Sequence, residues 1–369
     1  MEICLDFVAH LGPDTSSCVF TLIDSPADLI RVSAVSRSWR RFVIANGFSK
    51  KLCLRMCPEA SNVTDLLETN CLCTSDAVSS SDAELRRSER EHRLFSYLGH
   101  CIVSLDGNRN CIFQSIHASS TDNFPDESID NTLEPNDRVD RRPSYWSSEG
   151  QSDPQVPETL TYRLLSNLCV IDEIIIQPFK AYFQYGNPIY SASAVRFRMG
   201  HSRLPFETAA VNIQAINVDN YVWTYVSPEF PMVQENTLQS FKLPRPALCI
   251  GGILQIELLG RVQVQEMDGL YYICVCHVKA LGRPLTPKLE VQFVEPGGKI
   301  VLRYQPDAVE PSSTEPVAEE EPAVDELSVS WNALRERINH LRARRGWHLP
   351  LLNSLLGPAE PESDEEEQP

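Results

Sequence analysis

The chain has 369 residues, a formal net charge of −17 and 42% hydrophobic residues. Its length is typical of two or three domains, and its apolar content excludes a chain that is disordered throughout. Much of the acidity lies after residue 306, where fifteen Asp and Glu are set against five Arg. No long basic stripe interrupts this pattern, which argues against binding to a nucleic-acid backbone.

Neither a secretory signal nor a membrane span is predicted. Residues 1–11 have no basic region ahead of their apolar residues, and no uncharged apolar run reaches the roughly eighteen residues of a spanning helix. We therefore expect an intracellular protein, in the cytoplasm or the nucleus, with mostly reduced thiols. No metal or other cofactor is predicted, because the close-spaced cysteines lack the second matching pair of a zinc module. They are Cys53 and Cys57, Cys71 and Cys73, and Cys274 and Cys276 beside His277.

Residues 7–47 are predicted to form a small helical module. Pro13 suits the first position of a helix, since its missing N–H would be unpaired there. Ser25, Pro26 and Asp28 mark another helix start, with Ser25 as the N-cap and Asp28 near the positive helix end. The residues that follow are apolar at spacings of three and four, up to a stop at Asn46-Gly47. They are Leu29, Val32, Val35, Trp39, Phe42 and Val43.

The order of residues in this module resembles the F-box. The match comprises Pro13 and the run Pro26-Ala27-Asp28-Leu29-Ile30-Arg31-Val32-Ser33-Ala34-Val35-Ser36-Arg37-Ser38-Trp39-Arg40. Where the family opens with Leu-Pro this chain has Leu11-Gly12-Pro13, and Thr15, Ser16 and Ser17 thin the first apolar run. The resemblance implies binding to a Skp-family adaptor and, through it, to a cullin. The implied contact residues are Leu11, Pro13, Val19, Leu22, Pro26, Leu29, Val32, Val35 and Trp39.

On the residues alone, two interpretations of the apolar stripe stay open. A unit of about forty residues cannot bury so much apolar surface by itself. Either another chain covers part of it, as in adaptor binding, or the rest of this chain does.

Six segments are expected along the chain. Residues 1–50 form the F-box, and residues 51–91 form a linker with a possible helix, since Ala83 to Leu98 interleaves Arg and Glu as on a solvated helix face. Residues 92–305 form a β-domain. Residues 306–326 are rich in Pro and Glu and are expected to be disordered. Residues 327–346 form a basic amphipathic helix, which docks either on a partner or membrane surface or on its own domain, and residues 347–369 form an acidic tail.

The β-domain is predicted from short strands with Pro and Gly between them, the pattern of a sandwich or barrel. A hairpin is expected near its end, with Leu289 to Phe293 and Ile300 to Tyr304 on either side of a Gly-rich turn. The other expected strands are Thr159 to Leu164, Cys169 to Ile176, Ala194 to Met199, Tyr221 to Val226, Leu238 to Leu243, Ile253 to Leu259 and Leu270 to Val278.

Short sequence segments in this region resemble those of the discoidin-like, galactose-binding β-sandwich. They are Ala118-Ser119-Ser120, Trp146-Ser147-Ser148, Leu160 to Leu164, Val170 to Ile176 and Tyr271 to Val278. The resemblance implies an α+β multidomain chain, in which a helical F-box precedes an antiparallel jelly-roll. Together, the two resemblances are to plant F-box proteins that carry such a C-terminal domain. In that family the loops at one end of the sandwich bind sugars, lipids or proteins.

Loop-like segments that mix aromatic, polar and basic residues are the candidate substrate-binding surface, because Trp, Tyr and Arg dominate interface energetics. The alternative is ordinary loop packing, with Trp146 plugging the core. The candidates are Arg138, Arg141, Arg142, Tyr145, Trp146, Tyr182 and Tyr185.

No catalytic motif was found among the patterns for serine hydrolases, phosphate loops, zinc proteases or dinucleotide binding. The leading hypothesis is a non-enzymatic adaptor of an SCF-type (Skp-cullin-F-box) ubiquitin ligase, in which the β-sandwich recruits an unknown protein or glycoprotein substrate. The alternative is a carbohydrate- or protein-binding module with a degenerate F-box. Under both hypotheses we expect no nucleic-acid partner and no membrane span.

Overall fold

The computed structural model describes residues 6–68, 80–104, 106–139, 142–203, 220–294 and 299–308. The predicted amphipathic helix at 327–346, the acidic tail and most of the expected disordered linker lie outside these residues. No helix in the described part of the chain is long and apolar enough to cross a membrane.

Most of the helices lie before residue 104. They are α1 (Phe7–His10), α2 (Gly12–Thr21), α3 (Pro26–Ser33), α4 (Arg37–Ala45), α5 (Phe48–Met56) and α6 (Ser80–Val103), with 3-10 helices at Pro58–Asn62 and Ile129–Leu133. The predicted start at Ser25 is confirmed, since its side chain accepts the N–H of Asp28. Ser36 caps α4 in the same way, through the N–H of Trp39.

The strands begin after the first five helices. In chain order they are β1 (Val63–Glu68), β2 (Arg109–Asn110), β3 (Ile112–Ala118), β4 (Arg138–Val139), β5 (Arg142–Pro143), β6 (Trp146–Ser147), β7 (Glu158–Leu164), β8 (Leu168–Lys180), β9 (Ile189–Tyr190), β10 (Ala192–Ser202), β11 (Tyr221–Val226), β12 (Phe230–Pro231), β13 (Gln239–Ile250), β14 (Ile253–Arg261), β15 (Gln263–Val264), β16 (Tyr271–Tyr272), β17 (Cys274–Pro284), β18 (Leu289–Phe293) and β19 (Ile300–Tyr304).

Two antiparallel sheets face each other, which makes the expected β-sandwich. One has the strand order β11-β10-β14-β7-β3 and the other β13-β8-β17-β2. Their inner faces share one core, to which β7 contributes Leu160 and Tyr162, β10 contributes Phe197, and β8 contributes Ile174 and Ile176. The predicted strand at Leu270 to Val278 is divided at Ile273, and β13 runs through Pro244 and Pro246, where its register with β8 shifts. A register shift accommodates prolines because they donate no ladder hydrogen bond.

The outer face of the second sheet is also buried. Leu168 and Val170 of β8 and Leu248 and Ile250 of β13 pack under α6 and the small sheet β1-β19-β18. We call this the junction core. Burial on both faces explains why β8 reads as a nearly continuous apolar run. The junction core also includes Leu94, Phe95, Leu98, Ile102, Leu289, Val291, Ile300 and Leu302.

The expected linker at 51–91 is folded structure in its described residues, 51–68 and 80–91. It holds most of α5, a 3-10 helix, β1 and the first half of α6, and Cys53, Cys57 and Ala60 lie in the junction core. β1 pairs in parallel with β19, so its partner lies more than two hundred residues away and leaves no local signal. The hairpin of β18 and β19 is confirmed, but it joins β1 rather than extending the sandwich.

Three arginine side chains tie the helices to the strands. Arg283 of β17 donates to the carbonyl oxygens of Cys101 and Ile102 at 2.9 and 2.8 Å and pairs with Asp172 at 2.7 Å. It thereby supplies a cation to the C-terminal end of α6. Arg245 of β13 makes a two-pronged pair with the buried Glu59, at 2.6 and 2.9 Å. Arg93 of α6 pairs with Glu68 of β1 at 2.7 Å.

The 3-10 helix Ile129–Leu133 anchors the segment that carries the candidate arginines. The Thr132 hydroxyl bonds the buried Tyr162 hydroxyl at 2.8 Å, and the Thr132 carbonyl lies 3.1 Å from Nδ1 of His277. His277 is buried in β17, and its Nε2 has no partner among the described residues. Burial lowers the pKa of His277, and the nearby Lys279 adds to the effect.

The junction core predicts that helices and sandwich unfold together. Leu98→Ala should lower the free energy of unfolding by about 2–5 kcal/mol, because it leaves a cavity in a fully buried site. Leu85→Ala, on the exposed side of the same helix, should change it by less than about 0.5 kcal/mol. Urea unfolding followed by circular dichroism and tryptophan fluorescence should give one shared transition. Two separate transitions would contradict the shared core.

Stability should also depend on pH through the buried histidine. Because the folded-state pKa of His277 is lowered, the unfolded chain binds the proton more readily. The contribution of His277 to the free energy of unfolding is therefore fully present above pH ~6.5. At lower pH this contribution decreases by at most about 1.4 kcal/mol per pH unit. Urea unfolding from pH 7.5 to 5 should show a shallower slope for His277→Gln than for the exposed control His100→Gln. Equal slopes would remove His277 from this role.

Candidate functional site

Helices α2 to α5 enclose a small aromatic core, which we call the F-box core because these helices carry the residues that resemble the F-box. Phe20 of α2 lies 5.5 Å from Trp39, 5.3 Å from Phe42 and 5.5 Å from Phe48, measured between ring centroids. Leu29, Val43 and Leu52 complete it. Ser16, one of the serines that thin the apolar pattern, is buried with its hydroxyl directed to the carbonyl of Val8 at 3.4 Å, where α1 meets α2.

Outside that core the same helices expose large apolar side chains. The exposed fractions are 47% for Leu11, 43% for Val19, 79% for Leu22 and 62% for Val35. Pro13 is exposed as well. Leu22 lies in the turn between α2 and α3, which Arg55 of α5 holds by donating to the carbonyl oxygens of Thr21 and Ile23. Leu22 therefore faces solvent on a fixed turn.

Four of the predicted adaptor contacts are not free surface. Leu29 is buried in the F-box core, and Pro26 is buried against α6, where a Cβ on Gly99 would approach its ring at 3.4 Å. Val32 and Trp39 are half-buried, and the Trp39 indole donates to Asp6 at 2.8 Å. Leu29 and Pro26 are thus wrong as contact residues, because the small core and α6 use them. Ile30 is exposed and was missed, although an apolar residue next to Leu29 must lie off the core stripe.

Two of the candidate substrate-binding residues belong to the sandwich core. Trp146 is fully buried, and its indole N–H donates to the Ser120 carbonyl at 3.0 Å. Tyr145 is buried and stacks on Phe179 with the ring centroids 3.9 Å apart, and its hydroxyl bonds Glu127 at 2.5 Å. Both assignments are corrected: Trp146 plugs the core, and Tyr145 supports the surface from beneath.

We call a second set of residues the aromatic surface: the candidates Arg138, Arg142, Tyr182 and Tyr185, together with Phe183, which was not predicted. The Arg138 guanidinium lies over the Tyr182 ring at 3.7 Å, and Tyr182 meets Phe183 edge to face at 5.6 Å. Arg142 and Phe183 are exposed, and Tyr185 is 95% exposed. Arg141 lies outside the described residues. Exposed aromatic rings on a stacked base are characteristic of protein interfaces.

A buried ion pair fixes the loops at one end of the sandwich. Arg261 of β14 pairs with Glu158 of β7, and both side chains are almost completely buried. The same guanidinium donates to the Ser148 hydroxyl at 2.9 Å and to the Glu149 and Tyr271 carbonyl oxygens at 2.9 and 3.0 Å. One side chain thus joins β7, the Ser148-Glu149 segment and β16, which stiffens the part of the fold next to Trp146.

Among the described cysteines, Cys18 is exposed and Cys101 is half-buried, and the other seven are buried thiols. Burial raises the pKa of Cys53, Cys249, Cys274 and Cys276 to about 12, so the thiolate form is disfavoured at neutral pH. In the described part of the chain no group of three His, Cys, Asp or Glu is placed to hold a metal ion.

No family model matches the chain. An F-box protein of Arabidopsis thaliana is 50% identical over 313 residues, which are 81% of this chain and 82% of that protein. Among solved structures, the family 32 CBM from C. perfringens NanJ in complex with galactose is 12% identical and covers 46% of this chain and 98% of its own, with a TM-score of 0.29. The family 32 carbohydrate-binding module from Streptococcus pneumoniae EndoD is 11% identical, covers 47% and 94%, and has a TM-score of 0.31. At these scores no ligand is carried over.

Truncating the buried and the exposed candidates should have opposite consequences for folding. Trp146→Ala should cost about 3–5 kcal/mol of unfolding free energy, since it empties a fully buried site. Tyr185→Ala should change stability by less than about 0.5 kcal/mol. Chemical denaturation of both variants measures this, and a stable Trp146→Ala protein would return Trp146 to the candidate binding residues.

Proposed function

The chain belongs to the F-box proteins, and we propose that it is the substrate-recognition subunit of an SCF-type ubiquitin ligase in the cytoplasm or the nucleus. In this role the F-box binds a Skp-type adaptor and, through it, a cullin. The β-sandwich recruits a protein or glycoprotein for ubiquitination.

The observation that carries the proposal is the apolar surface left outside the F-box core. Leu11, Val19, Leu22 and Val35 are each more than two-fifths exposed although Phe20 and its neighbours already fill the core. Covering a side chain as exposed as Leu22 gains up to about 2 kcal/mol. Apolar side chains that a folded module leaves in water are typical of a protein-binding surface.

The junction core supports the same role, because it gives the F-box a fixed attachment to the sandwich. α6 contacts α3, α4 and α5 on one side and the outer face of β8 and β13 on the other. A substrate held by the sandwich would keep a constant position relative to the adaptor. Positioning of this kind raises the effective concentration of the substrate at the ligase.

The aromatic surface is the part of the sandwich that we assign to substrate recruitment. Phe183 and Tyr185 offer large apolar contact area, and Arg138 and Arg142 offer hydrogen-bond donors beside it. Such a mixture favours a protein segment as the ligand over a purely polar one.

Adaptor binding is tested by co-expression with a Skp-type adaptor followed by size-exclusion chromatography. Leu22→Asp and Val35→Asp should abolish co-elution, because each places a charge in the buried interface while sparing the F-box core. Leu85→Asp, an equally drastic change at an exposed leucine of α6, should co-elute like the wild type. Co-elution of all three variants would refute the assignment. A folded wild type that elutes alone would favour a free-standing binding protein.

Substrate recruitment has a separate readout, the set of proteins whose ubiquitination rises with the full chain. The double variant Phe183→Ser with Tyr185→Ser should lose those proteins while retaining the adaptor. Val35→Asp should lose both. If the double variant modifies the same proteins as the wild type, the aromatic surface is not the recruitment site.

A further inference from the structure

A cavity of about 230 Å³ lies between β1 and α6. It includes none of the exposed apolar residues proposed to bind the adaptor and none of the aromatic surface. Its strand side consists of Val63, Thr64, Asp65 and Leu66. Its helical side consists of Lys50 of α5 and Arg87, Arg90, Glu91 and Phe95 of α6. The volume is below the roughly 300–1,000 Å³ of small-molecule pockets and suits one or two side chains of a longer ligand.

β1 is an edge strand. It pairs with β19 on one side, and no other described strand pairs with it. The N–H of Leu66 donates to the carboxylate of Asp65 at 2.8 Å. An edge strand with unpaired backbone groups is a template for a further strand, and extended peptides bind in this way where a helix flanks the edge.

Surrounding contacts keep β1 and α6 apart at a fixed spacing. Glu68, at the end of β1, pairs with Arg93 at 2.7 Å, and Tyr304 of β19 meets Tyr97 of α6 with ring centroids 5.4 Å apart. Phe95 is buried, and the Lys50 ammonium lies over its ring at 5.6 Å. The cleft is therefore bounded by packed residues on both walls.

The charges that line the cleft select the ligand. Three cations, Lys50, Arg87 and Arg90, stand against two carboxylates, Asp65 and Glu91. Glu91 is shared between Lys50 at 3.9 Å and Arg87 at 3.5 Å. Arg90 is half-buried and makes no ion pair within the part of the chain that the structure describes. A half-buried guanidinium favours a carboxylate partner, which it can bind through two donors.

We propose that this cleft binds an extended acidic peptide segment of a partner protein, which pairs with β1 as an added strand and places a carboxylate on Arg90. The site is distinct from both surfaces of the proposed function, so the two can fail independently. Backbone hydrogen bonds to β1 supply affinity, and the cations select acidic side chains at alternate positions.

The probe is a library of short fluorescent peptides with blocked termini, with glutamate fixed at alternate positions and the others randomised. A second library carries lysine at the same positions. Fluorescence anisotropy with the full chain should find glutamate peptides that bind and no lysine counterpart of similar affinity. If no glutamate peptide binds more tightly than its lysine counterpart, the proposal is overturned.

Two further arms separate strand pairing from simple charge attraction. Arg90→Glu should weaken the selected peptide about tenfold or more, while Arg86→Glu, on the exposed side of the same helix, should not. Arg90→Lys, which keeps the positive charge, should weaken the peptide's affinity less than Arg90→Glu does. N-methylation of the peptide amides along one edge should abolish binding, and along the other edge should leave it intact. Equal effects of both arginine variants, or of both methylation patterns, would overturn the proposal.

A synthetic peptide of residues 358–369 is the last competitor, because that segment is itself acidic. It should compete less well than the best library member. If it is instead the tightest ligand, the occupant is this chain's own C-terminal segment and the assignment to a partner is wrong.

Discussion

The architecture depends on one apolar contact, the packing of α6 on the outer face of β8 and β13. In this contact the apolar side of α6, with Leu94, Leu98 and Ile102, covers Leu168, Val170, Leu248 and Ile250. Each of these side chains is removed from water by the contact. Because α6 also packs on the F-box helices, the two parts of the chain are a single body in their described residues. The N-terminal helices and the β-sandwich are therefore joined by a packed interface and not by a flexible tether.

Buried and half-buried ion pairs set the geometry around that contact. The pairs of Arg283 with Asp172, Arg245 with Glu59, and Arg261 with Glu158 each join elements that are distant in sequence. Buried pairs contribute little net stability, since desolvation offsets much of their attraction. Their effect here is geometric: a guanidinium with several fixed acceptors permits few alternative arrangements of the loops that it joins.

The sequence alone predicted features that depend on local chemistry. The Ser25 cap and the alternating strands are examples, because a side chain three residues away or a period of two decides them. It failed where the partner is remote. β1 has an unremarkable composition and is a strand only because β19 lies beside it. Leu29 and Leu22 are alike in sequence, yet one lies in the core and the other in solvent, a difference set by how α2 and α3 turn around Phe20. Tyr145 and Trp146 match interface composition, but Trp146 lies in β6, which pairs with β17, and Tyr145 stacks on Phe179.

The parallel pairing of β1 with β19 has a consequence for synthesis on the ribosome. Residues 63–68 emerge early, but their partner strand at 300–304 is among the last parts of the domain to be made. Until then the apolar sides of α6, β8 and β13 lack the cover of the small sheet. A prematurely terminated chain would thus present an F-box beside unburied apolar surface, the feature that chaperones and proteases bind. The packed arrangement of helices and sandwich is therefore reached only after β19 has been synthesised.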